Sequence, residues 1–174
     1  MIRPIRRIRP ISPILLACAL LAAAGEAPLD LDKAFDQAKT YECGQSDKAL
    51  HFLELEIVRV ATDAPKKAQM AGRLGAILDD PTATPTAKVW ACQQLMRIGT
   101  PAQVPALAKM LDGERTAEIA RYSLEAIPGE ESLAALRACL TKLKGMLLVG
   151  AVNSLGIRRD AKSAPALAAI LMLS

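Results

Sequence analysis

Few residues of this chain have types and spacing that suit chemistry. His51 is the only histidine. It lies in the helical pattern Ala49-Leu50-His51-Phe52-Leu53, with no second histidine nearby and no cysteine at metal-ligand spacing, so it reads as a part-exposed helix residue rather than a ligand. No G-x-S-x-G marks a nucleophile, no glycine loop could cradle phosphate, and no C-x-x-C-H would attach haem. The acid pairs Asp79-Asp80 and Glu130-Glu131 each fall at a helix boundary, where a carboxylate favours the N-terminal dipole of the helix that follows. Capping accounts for them better than acid/base work. Export would permit a disulfide, yet Cys92 and Cys139 sit inside helical patterns as small apolar residues would, and with Cys43 they form no C-x-x-C; we read them as buried free thiols. The expectation is no catalytic residue, no metal ligand and no cofactor.

The residues must be positioned by a helical unit that is written out more than once. Leu95, Ile98, Val104, Leu107 and Leu111 recur 29 residues later as Leu124, Ile127, Leu133, Leu136 and Leu140. A third copy follows at a displacement of 31, with Leu155, Ala164, Leu167 and Leu171 in the same places. Each copy reads as a helix ending at a glycine or proline, a short turn and a second helix. The glycines suit the positive φ of helix C-termini, and the prolines separate one helix from the next. Upstream, Leu29 to Lys39 reads as a helix with Asp30 or Asp32 near its start and Gly44 as its left-handed cap. Ser46 or Asp47 caps a second, and Ala64-Pro65 opens a third. No strand-like alternation of useful length occurs, so about nine helices in antiparallel pairs are expected.

Aligning the copies picks out one row. Gln93, Tyr122 and Asn153 are equivalent on three successive helices, half a turn from the core positions Ala91, Ala120 and Ala151, and Arg97 lies one turn beyond Gln93. The plain account is solvated surface; the sharper one is a polar binding row on a concave face. Trp90 aligns with Ile119 and reads as core.

The N-terminus changes the charge argument. Arg3, Arg6, Arg7 and Arg9 precede an apolar run from Ile14 to Ala24 that ends in small residues, the pattern of a cleaved signal peptide over residues 1–24. The run is too short to span a membrane. Leu15-Leu16-Ala17-Cys18 offers a rival lipid anchor at Cys18. The chain has 22 Lys+Arg and 18 Asp+Glu; without those four arginines the two are equal, so residues 25–174 are near neutral and bulk attraction to nucleic acid loses its support. Residues 132–174 nonetheless hold six bases against Asp160 alone. That is a solvated face or, more sharply, a site for an anionic partner.

The sequence Gln94-Leu95-Met96-Arg97-Ile98-Gly99-Thr100-Pro101-Ala102-Gln103-Val104-Pro105-Ala106-Leu107 resembles the HEAT repeat in the short form of phycobilisome-lyase-type proteins. It returns at Ser154-Leu155-Gly156 and Ser163-Ala164-Pro165-Ala166-Leu167, while the middle copy has Ala134 in place of proline. The resemblance implies an all-α fold, a right-handed α-α superhelix (a HEAT/ARM-like solenoid) of antiparallel helix pairs over residues 25–174. It also implies a non-catalytic exported scaffold in the periplasm or cell envelope that binds a protein partner; a chromophore- or cofactor-handling role, or a module positioning a fused enzymatic domain, is the alternative. The last helix is apolar on nearly every side. This suggests a solenoid truncated at its C-terminal end, or self-association through that uncapped helix.

Overall fold

The computed structural model describes residues 29–172. Among them there are nine α-helices and no strand. In order they are α1 (Leu31–Lys39), α2 (Lys48–Val60), α3 (Ala64–Asp79), α4 (Pro85–Ile98), α5 (Val104–Met110), α6 (Ala117–Ala126), α7 (Glu130–Cys139), α8 (Gly145–Ile157) and α9 (Ala164–Met172). One-turn 3₁₀ helices, Pro101–Gln103 and Ala161–Ser163, lead into α5 and α9. The expected signal peptide and the Cys18 anchor lie outside the described residues.

Local chemistry sets the helix starts. Asp30, Asp63 and Thr84 each accept the backbone N–H three residues on, satisfying a donor that has no partner within its helix. Asp47 occupies the same position before α2 without such a bond. Two expectations about turns are corrected. Asp80 does not cap α4: its Oδ1 accepts from the Thr82 backbone and hydroxyl at 2.7 and 2.6 Å, and its partner in charge is Lys39 at 3.3 Å. The glycines also divide by role. Gly129 adopts φ 109°, but Gly99 has φ −59° and is required for space, since a Cβ there would stand 2.7 Å from Ile127 Cδ1. Gly44 adopts φ 93° in the turn beyond Thr40, which itself ends α1.

The even-numbered helices touch in succession, α2 to α4 to α6 to α8, and so do α3, α5 and α7. Between the two rows run the apolar ladders. Leu95, Leu124 and Leu155 are buried on α4, α6 and α8, as are Ala91, Ala120 and Ala151; Leu107 and Leu136 are buried on α5 and α7. The third copy is less covered. Leu167 is half-buried, and Leu171 is 78% exposed where Leu111 and Leu140 are 4% exposed.

Candidate functional site

The four residues of the candidate row all lie on the even-numbered helices and all are exposed: Gln93 and Arg97 on α4, Tyr122 on α6 and Asn153 on α8. At about 100° per residue they fall on the side of each helix opposite its buried alanine and leucine. Apolar side chains share that side. Met96 stands beside Gln93, and Met146, Val149 and Ile157 flank Asn153. On α2, Leu55 and Val58 oppose the buried Leu53 and Ile57; every one of these apolar residues is at least 41% exposed. The face is therefore mixed, with aromatic and thioether groups among amides and a guanidinium. The alignment of polar columns missed its apolar half, because an apolar residue in a helix reads first as core. The available signal was α8, whose apolar residues run round the whole helix.

Buried polar groups hold two members of the row from beneath. Glu54 on α2 accepts from Trp90 Nε1 at 3.1 Å and from Gln94 Nε2 at 3.4 Å, and Gln94 Oε1 accepts from Arg97 Nη1 at 3.2 Å. Trp90 is buried, as its alignment with Ile119 implies, while its indole N–H finds a carboxylate. His51 is exposed, with Nδ1 4.0 Å from Glu54 Oε2. One repeat on, Arg121 is 4% exposed. Its Nη1 donates to Ser154 Oγ at 2.6 Å and Glu125 Oε2 at 3.3 Å, and its Nη2 to Glu118 Oε1 at 2.6 Å. Burial opposes its charge, but the hydrogen bond it donates to Glu118 and the contact with Tyr122 outweigh this and raise its pKa. The guanidinium carbon lies 3.9 Å from the Tyr122 ring centroid, so the exposed ring rests on a fixed cation. Arg158 works in the same way on backbone: its Nη1 donates to the carbonyls of Glu125 at 2.8 Å and Ile127 at 2.7 Å, groups left open by the end of α6.

Little of this suits proton transfer at neutral pH. Hydrogen bonds from Thr82 hold Asp80 down to about 2, and burial pushes the Cys92 thiol up to about 12. A groove of about 210 Å³ lies between α1 and α3, lined by Phe35, Lys39, Arg73 and Asp80 among others. Its cations are already paired, Lys39 with Asp80 and Arg73 with Asp32 at 2.7 Å, and Arg73 also stacks 4.1 Å from the Phe35 ring centroid. Among the described residues no group of three His, Cys, Asp or Glu could hold a metal ion, and no helix is long and apolar enough to cross a membrane. No protein-family model matches this chain, and neither a curated protein nor a solved structure matches it.

Proposed function

We propose that this protein is a HEAT-type α-solenoid that acts, without catalysing a reaction, as an exported scaffold for a protein partner. The reading of a solenoid rests on the copied apolar ladders and on the succession of like helices in two rows. The reading of export rests on the N-terminal sequence alone. The partner surface is the outward side of α2, α4, α6 and α8. One observation carries it: large apolar side chains stand exposed on that side of all four helices, Leu55 and Val58, Met96, Tyr122, then Met146, Val149 and Ile157. Scattered single apolar residues are ordinary on a surface, whereas a run of them beside a braced tyrosine and arginine suits protein contact. The braces matter because a side chain already held in place loses less entropy on binding.

A photo-crosslinking residue placed at Tyr122 in the producing cell tests this, with a second at Lys109, exposed on α5, as the control. A discrete adduct from position 122 that is absent from position 109 is expected. Equal labelling from both positions, or none from position 122, contradicts the assignment.

A further inference from the structure

One charged group on α1 is left over from the pairing that joins this helix to α3. Two ion pairs make that join, Asp32 to Arg73 at 2.7 Å and Lys39 to Asp80 at 3.3 Å. In both the partner stands 41 residues on, so the two helices run parallel, and the same register sets Asp36 opposite Ala76 and Ile77. Between the two pairs lies the groove of about 210 Å³, floored by the buried Phe35 and Ile77 and edged by the exposed Asp36 and Ala76. Its cations are committed: Lys39 meets Asp80, and Arg73 both meets Asp32 and covers the Phe35 ring. Asp80 is committed too, since its Oδ1 also takes the Thr82 backbone and hydroxyl. Of the charged groups that line the groove, only the Asp36 carboxylate has no hydrogen bond or ion pair among the described residues.

We propose that this groove is a binding site for an alkylammonium group, the end of a lysine side chain on a partner polypeptide. Whatever fills the middle of the groove strips water from Asp36, and a carboxylate that loses its water without gaining a donor is costly. A purely apolar occupant offers no donor, and an anion would have to break an existing ion pair. An ammonium on an apolar stem meets both demands. Its methylenes lie along Ile77 and Ala76, and its N–H donors reach the carboxylate and the solvent at the groove's edge. Lysine suits the place better than arginine, because a guanidinium gains from an aromatic face and Arg73 already takes that of Phe35. Size favours one side chain over a whole small molecule, since sites that enclose a drug-sized ligand run to about 300–1,000 Å³. The groove shares no residue with the outward side of α2, α4, α6 and α8, so this site stands whether or not that face binds a partner.

Amide chemical shifts of the full chain, labelled with nitrogen-15, test the proposal. The probes are two capped glycine peptides, one with a central lysine and the other with norleucine, which keeps the stem and lacks the ammonium. The lysine peptide is expected to shift amides of residues 35–39 and 73–80 until they saturate, and to bind at least about fivefold tighter than the norleucine peptide. Asp36→Asn brings the two peptides level, whereas Asp36→Glu keeps the preference; the helical circular dichroism signal checks that both variants fold. Ala76→Leu, which fills the groove from α3, removes binding of both peptides. Butylammonium chloride shifts the same amides and binds more weakly than the lysine peptide. No shift in these residues, equal binding of the two peptides, lysine binding that survives Asp36→Asn or Ala76→Leu, or a response to butylammonium with none to the lysine peptide overturns the proposal.

Discussion

Gly150 has no room for a side chain: a Cβ there would stand 2.7 Å from Arg121 Nε and 3.1 Å from its Cδ. The glycine lets a buried guanidinium cross from α6 to Ser154 on α8, and that guanidinium also carries the Tyr122 ring. Gly150→Ala is therefore expected to destabilise the fold by about 1–3 kcal/mol, read as a lowered melting temperature. It should also free Tyr122, read as a change in its fluorescence. An unchanged melt would show that Arg121 has another place to go. Arg159 shows the opposite case. It ends α8 at φ 52°, where its N–H reaches the Gly156 carbonyl and the next N–H reaches the Leu155 carbonyl, a geometry that glycine adopts without strain. Arg159→Gly should gain about 0.5–1 kcal/mol in chemical denaturation; a loss would mean that the arginine side chain contributes more than its backbone costs.

At the scale of the helix, burial predicts a gradient. Leu95→Ala or Leu124→Ala removes a side chain with no exposed surface and should cost about 2–5 kcal/mol, whereas Leu171→Ala should cost little. Equal costs at Leu124 and Leu171 would mean that the copies are not covered as described. The apolar ladders were legible because spacing at three and four residues is repeated with few exceptions, and because leucine in such a pattern has few other uses. The polar ties were less so. Gln94, Ser123 and Ser154 form a column of their own beside the leucines, yet nothing in the chain marks a buried serine as the partner of Arg121 on the neighbouring helix. Arg158 takes the place of Ile98 and Ile127, so its alignment suggests a break in the ladder; the structure instead shows it filling the carbonyls that end α6. The candidate row was found as its polar half alone. Position in a wheel says which side a residue faces, but whether Met96 is covered depends on what lies across from it.

Over the whole molecule, stability in acid follows from carboxylates that hydrogen bonds hold below their usual range. Backbone and side-chain bonds from Lys33 and Lys66 lower Asp30 and Asp63, those from Thr82 bring Asp80 to about 2, and Arg137 with Lys162 lowers Glu130. A lowered pKa stabilises the fold above the unfolded value and stops doing so as pH falls through the folded one. The melting temperature should thus hold steady near neutrality and decline from about pH 4 toward pH 2, with Asp80→Asn removing part of that decline; a melt independent of acid would count against these bonds. The central claim is that neighbouring helix pairs complete one another's interior, so that each helix is as stable as its neighbours allow. Native-state hydrogen exchange, resolved residue by residue, tests it most directly. Protection should be greatest in α4 and α6, lower in α8 and least in α9, falling in steps from one pair to the next. Amides of α9 as protected as those of α4, with a single value throughout, would contradict it.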